Sequence, residues 1–187
     1  FMFSREFSFA EGGEGIRLSA GDYYDESKGY GFLGLAVQER AADRFTGTGG
    51  WNPRETYCPG EGEEAGLWQN GADGVEVKAG FPLRFRAAVP GNGSYAVTVT
   101  IRGGREGAQG LMLYTGRRNL IKRDIVIRPG EVFSCRFYVR VCEYIPVVGE
   151  GAKEDNSVYV TVLGAGKSSA RISGLKIEDA QAPTVFI

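Results

Sequence analysis

Alternation of apolar and polar positions dominates the second half of the chain. Leu83, Phe85, Ala87 and Val89 alternate with Arg84, Arg86 and Ala88. After the turn signal Pro90-Gly-Asn-Gly93, Tyr95, Val97, Val99 and Ile101 alternate with Ala96, Thr98 and Thr100. A period of two places each apolar set on one face of a strand. Residues 111–114 and 120–127 read as further strands, the second closed by Pro129-Gly130. Phe133, Cys135, Phe137, Val139 and Val141 then share a face opposite Ser134, Arg136, Tyr138 and Arg140. A polar loop at residues 149–156 precedes Val158, Val160 and Val162. Ala170 and Ile172 change parity to Leu175 and Ile177 across Ser173-Gly174, which requires a bulge at the glycine.

The first part of the chain is less regular. Phe3, Phe7 and Phe9 share one parity and predict a first strand, with Arg5 as the exception on that face. Glu11-Gly-Gly-Glu-Gly15 is a turn, and Ile16-Arg-Leu18 a short second strand. A polar loop over residues 20–28 carries Asp22, Tyr23, Tyr24, Asp25 and Glu26, and Gly29-Tyr-Gly-Phe32 leads into a strand over residues 33–38. Residues 40–74 show neither period, yet hold Phe45, Trp51, Tyr57, Leu67 and Trp68. A structureless loop longer than about 15 residues is uncommon in a compact domain and is usually functional or disordered. The aromatics count against disorder. With short strands, frequent turns, no helical period and no internal repeat, the chain reads as all-β, an antiparallel β-sandwich or jelly roll.

Composition narrows the chemistry. The 187 residues fit one domain, or one domain and a fragment of another. The 29 glycines, about twice the usual share of roughly 7%, suit many tight turns. A net charge of −1 leaves no electrostatic footprint for nucleic acid or an anionic membrane, and no run approaches the roughly 18 apolar residues of a span. Histidine is absent, which excludes Ser-His-Asp and Cys-His machinery and zinc sites built on imidazole. No cofactor is expected. Carboxylate pairs and oxygen-ligand calcium sites stay open. Cys135 and Cys142 lie on one strand roughly 23 Å apart, far beyond the roughly 4.4–6.8 Å of a disulfide. With Cys58 making an odd count, a cytoplasmic setting is favoured over an extracellular one without excluding it.

Several motifs are decoys. Gly29-Tyr-Gly-Phe-Leu-Gly34 spells a dinucleotide fingerprint, but a polar loop precedes it and a strand, not a helix, follows. Asn92-Gly-Ser94 is formally a glycosylation acceptor and reads as a hairpin turn. Asp22, Asp25 and Glu26 could chelate calcium, and a solvated acidic loop is the favoured reading; Glu61, Glu63 and Glu64 read the same way. The long loop is harder to dismiss. Trp51, Tyr57 and Trp68, with Asn52, Arg54 and Gln69, combine rings for the C–H faces of sugars with groups for their hydroxyls. Alternatively, those rings anchor the loop on the sandwich or pack on a neighbouring domain.

The order of features, a Phe-rich first strand, Gly29-Tyr-Gly-Phe32, Pro90-Gly-Asn-Gly-Ser-Tyr-Ala-Val-Thr-Val99 and Pro183-Thr-Val-Phe-Ile187, resembles the N-terminal sandwich of multidomain SGNH (GDSL-type) carbohydrate esterases, similar to the rhamnogalacturonan acetylesterase group. The resemblance implies a galactose-binding-like sandwich over residues 1–179. Residues 180–187 would then be a linker and the first strand of a hydrolase domain, whose Ser, Asp and His would follow Ile187. No catalytic residue falls in this chain, and the insertion at about residues 44–74 departs from the plain pattern. The expected role is non-catalytic: packing on that hydrolase domain and holding plant cell-wall polysaccharide near it, with neither nucleic acid nor membrane as partner. Two alternatives are a glycosidase or polysaccharide lyase using Asp22, Asp25 or Glu64, and a stand-alone carbohydrate-binding or adhesion module.

Overall fold

The computed structural model describes residues 2–33, 70–77, 82–116, 119–142, 156–164 and 169–180. Among them are twelve strands and no helix: β1 (Ser4–Ser8), β2 (Ile16–Arg17), β3 (Tyr30–Phe32), β4 (Asn70–Gly71), β5 (Gly74–Glu76), β6 (Leu83–Ala88), β7 (Gly93–Gly103), β8 (Ala108–Thr115), β9 (Asn119–Ile127), β10 (Val132–Val141), β11 (Ser157–Leu163) and β12 (Ala170–Asp179). They form two sheets. The first runs β10-β7-β12-β1-β2, with β5 also pairing β12 and β4 pairing β5; the second runs β3-β6-β11-β8-β9. Every pairing is antiparallel except that of β1 with β2, where Phe7 faces Ile16 and Ser8 faces Arg17 in parallel. The fold is a β-sandwich of jelly-roll-like arrangement.

The alternating patterns become the two inner faces. Leu83, Phe85 and Ala87 of β6 meet Val97, Val99 and Ile101 of β7 and Leu175 and Ile177 of β12 in one core. Aromatic rings join the sheets at one end: Phe7 lies 5.0 Å from Phe85, and Phe9 lies 5.2 Å from Phe32 and 5.3 Å from Phe85. The Phe-rich start of the chain is therefore a staple between the first sheet and the second. Such pairs add about 0.5–1.5 kcal/mol each beyond the area they bury. Arg5, the misfit on that face, keeps its stem at the rim. Its guanidinium lies 5.6 Å from the Phe3 ring and 5.7 Å from that of Tyr30, and Nη1 donates to the Ala88 carbonyl at 3.3 Å.

The parity change in β12 is a bulge: the register with β7 shifts between Ile172 and Gly174. Two expectations differ from the structure. Pro90-Gly-Asn-Gly93 is not a hairpin turn. It carries the chain from β6 in the second sheet to β7 in the first, and the Tyr95 hydroxyl donates to the Gly91 carbonyl at 2.8 Å across it. Residues 70–74, read as the end of the long loop, belong with Val75 and Glu76 to the small hairpin β4-β5, fastened to β12 by Val75 opposite Ile172. The Gly29-Tyr-Gly-Phe32 run itself holds β3, and the strand expected over residues 33–38 lies, beyond Leu33, outside the described residues.

Candidate functional site

The polar segment of residues 19–28 lies between two features that could meet a ligand. Its own shape comes from local capping. Asp22 Oδ2 accepts from the Ser19 amide at 2.6 Å and from Ser19 Oγ at 2.8 Å. Asp25 Oδ1 accepts from the amide and hydroxyl of Ser27 and from the Lys28 amide at 3.3 Å. The Ser27 hydroxyl, first, and these amides hold the Asp25 carboxyl below its usual value. Asp22 and Asp25 thus serve as turn formers, the use their type favours in loops. That occupation counts against Asp22 and Asp25 as the carboxylates of a glycosidase or lyase; the third candidate, Glu64, lies outside the described residues.

On one side of this segment is a cavity of about 320 Å³, lined by Phe9, Leu18, Arg17, Ser19, Asp22 and Asn70 among others. That size is at the lower end of the roughly 300–1,000 Å³ of small-molecule sites. Asn70 is placed by β4, and its Oδ1 accepts from the Ala20 amide at 2.7 Å, tying the cavity wall to the polar segment. A guanidinium, a carboxylate, an amide and a hydroxyl around apolar side chains can take hydrogen bonds from, and give them to, a polyhydroxylated ligand.

On the other side is the outward face of the second sheet. Arg84 and Arg86 of β6 point away from the core set Leu83, Phe85 and Ala87, as does Tyr159 of β11 away from Val158 and Val160. The Arg86 guanidinium lies 4.1 Å from the Tyr24 ring centroid and 5.6 Å from that of Tyr159, and Nε donates to Ser157 Oγ at 3.0 Å. Tyr24, Leu33 and Tyr159 form a second buried cluster, and Leu33 N donates to the Arg84 carbonyl at 2.9 Å. Arg84 itself is only 1% exposed. Burial pushes its guanidinium down to about 9, so it stays cationic at neutral pH.

Leu33 and Asn70 are the described residues that flank residues 34–69. The sugar-binding candidates Trp51, Asn52, Arg54, Tyr57, Trp68 and Gln69 all lie outside the described residues, as do Glu61, Glu63, Glu64 and Cys58. Arg17, Asn70, Arg86, Tyr24 and Tyr159 were not singled out from the sequence as site residues. Their signal was present in part, since Arg84, Arg86 and Tyr159 sit at the outward parity of otherwise apolar strands. Among the described residues no cluster of three His, Cys, Asp or Glu is arranged to hold a metal ion, and no helix is long and apolar enough to cross a membrane. Cys135 is half-buried and Cys142 exposed, both as free thiols. Gly31 of the fingerprint-like motif is in a strand against the polypeptide's own backbone, at the position where a nucleotide motif would need a helix to begin.

No family model matches the chain, and no curated protein matches it. Among solved structures, protein YXIM from Bacillus subtilis superposes with a TM-score of 0.53 at 23% identity, covering 95% of this chain and 40% of that one. This likeness concerns the fold, and the chain spans less than half of the length of that protein. A family 35 carbohydrate binding module from Clostridium thermocellum matches at TM-score 0.34 and 12% identity, over 53% of this chain and 70% of that one. A ruminal endo-beta-1,4-mannanase matches at 0.37 and 14%, over 64% and 22%. These two superpose too loosely to carry a conclusion.

Proposed function

We propose that this chain is the non-catalytic β-sandwich domain of a carbohydrate acetylesterase of the SGNH type. In this reading it packs on a hydrolase domain that follows Ile187 and holds polysaccharide near that domain's active site. The observation that carries the reading is the order of Gly29-Tyr-Gly-Phe32, Pro90-Gly-Asn-Gly93 and Pro183-Thr-Val-Phe-Ile187 along a sandwich. Two further features support it. A sandwich of this fold occupies 40% of a longer protein, as an accessory domain would. The cavity beside Asn70 and the cationic, aromatic face around Arg86 flank the two ends of the segment that holds Trp51, Tyr57 and Trp68. A tethered domain with weak sugar affinity raises the local concentration of substrate without entering the chemistry.

The test extends the chain in its natural reading frame beyond Ile187 and compares acetyl-ester hydrolysis by the extended protein and by the 187-residue chain. Turnover is expected only from the extended protein, with Gly-Asp-Ser following Ile187. Turnover by the shorter chain, or a continuation without a hydrolase nucleophile, would refute the esterase assignment. Titration with neutral pectic or xylan oligosaccharides, followed by tryptophan fluorescence, tests the binding role separately; an unchanged spectrum would remove it.

A further inference from the structure

The cavity beside Asn70 has fixed walls and polar groups that the fold does not use. Three stretches of chain line it: residues 9–11 after β1, residues 17–22 from β2 into the polar segment, and the start of the β4-β5 hairpin. Hydrogen bonds tie these stretches together. The Glu11 amide donates to the Ala72 carbonyl at 2.9 Å, and the Leu18 amide to the Ser8 carbonyl at 2.9 Å. Asn70 Oδ1 accepts from the Ala20 amide at 2.7 Å. Phe9 and Leu18, both buried, supply the apolar part of the lining. A site whose walls are already tied loses little ordering entropy when a ligand enters.

What those bonds leave over defines the ligand. Asn70 engages its Oδ1, which leaves the two N–H donors of Nδ2. Asp22 engages Oδ2 with the amide and hydroxyl of Ser19, which leaves Oδ1 as an acceptor. Arg17 and Glu11 make no side-chain hydrogen bond or ion pair among the described residues. The lining thus holds two carboxylates against one guanidinium, and the neighbouring Arg171, which packs over Gly71, is matched by Asp73 at 3.7 Å. A ligand must donate hydrogen bonds to satisfy the carboxylates and accept them to satisfy the guanidinium and amide. A sugar hydroxyl does both. A uronate carboxylate only accepts, and it meets two like charges.

We propose that this cavity holds one neutral sugar ring, the end or a side branch of a polysaccharide. Its hydroxyls donate to Asp22 Oδ1 and the Glu11 carboxylate and accept from Arg17 and Asn70 Nδ2, while a C–H face rests on Phe9 and Leu18. At about 320 Å³ the cavity is at the bottom of the range of small-molecule sites, which suits one ring and not a chain passing through. The inference rests on the carbohydrate-binding reading above and narrows it to one place and one ligand class.

Isothermal titration of the 187-residue chain with galactose, mannose, xylose and galacturonate tests it. At least one neutral sugar should bind, with galacturonate weaker by about tenfold. Arg17→Ala and Glu11→Gln should each lower the affinity by about tenfold. Both side chains are exposed and without partners among the described residues, so the melting temperature should stay that of the parent. Absence of binding by all three neutral sugars, equal binding of galacturonate, or parent-like affinity in either variant overturns the proposal. If oligosaccharides change tryptophan fluorescence while no single sugar titrates, the cavity fails and the binding role above stands. The esterase assignment is read from the extended protein and does not move with either result.

Discussion

A methyl group on Gly31 should unseat the segment that carries the candidate site. Gly31 has φ 149°, and an added Cβ would stand 2.4 Å from the Tyr23 carbonyl carbon and the Tyr24 amide nitrogen, and 2.5 Å from the Tyr23 oxygen. These are backbone atoms. They are held where they are by the Tyr24 amide donating to the Phe32 carbonyl at 2.8 Å and the Phe32 amide donating to the Asp22 carbonyl at 2.9 Å. Relief of the clash breaks both bonds at roughly 1 kcal/mol each, and the backbone strain adds roughly 1–3 kcal/mol. Gly31→Ala should therefore destabilise the protein by about 3–5 kcal/mol. In a chain of this size each kcal/mol lowers the melting temperature by about 2–4 °C, so a fall of roughly 6–20 °C is expected.

Thermal unfolding followed by circular dichroism measures it, with Gly21→Ala as the control. An added Cβ at Gly21 meets nothing within 4 Å, so its melting point should move by no more than about 2 °C. If Gly31→Ala unfolds within about 1 kcal/mol of the parent, the loop is not seated on β3 as described. The glycine would then need another reason, and a ligand-facing role for the motif would be open again.

Two further outcomes follow from single contacts. Lys176, first, and Arg136 hold the Glu178 carboxyl below its ordinary value of 4.5. A depressed carboxyl stabilises the fold above the unfolded value and loses that contribution as pH falls through the folded one. The stability gap between the parent and Glu178→Gln, measured by urea unfolding, should be present at pH 7 and close in acid; a gap that persists at the lowest pH refutes the pairing. Tyr95→Phe keeps the ring that packs edge-on to Phe3 at 5.9 Å but removes the hydroxyl that bonds Gly91. It should cost about 1 kcal/mol in a urea midpoint shift at constant m, and no shift would mean that the bond does not hold the connection.

Inside and outside were legible residue by residue, because parity along a strand is a local property. Leu83, Phe85 and Ala87 face the core as read, and the parity change at Ser173-Gly174 is the bulge it required. Even Arg5 became intelligible once its position at the rim was known. Which sheet a strand joins was not legible. Pro90-Gly-Asn-Gly93 has the same turn chemistry whether the chain doubles back as a hairpin or passes between sheets. The choice is made by partners far along the chain, since β7 is held between β10 and β12.

The same limit governs the site. Capping by Asp22 and Asp25 is written within three residues, as Ser19 before Asp22 and Ser27 after Asp25, and a turn-forming role could have been read there. The stack of Tyr24, Arg86 and Tyr159 draws on a loop and two strands remote in sequence, with no period to announce it. What the outward parity of Arg84, Arg86 and Tyr159 does offer is a constraint. Charged and aromatic side chains on the outer side of strands with apolar inner faces must be solvated, covered or in contact with a ligand. The buried Arg84 shows that the β6 side chains are covered, whereas the exposed Tyr138 and the half-exposed Arg136, paired with Glu178, show that those of β10 are solvated.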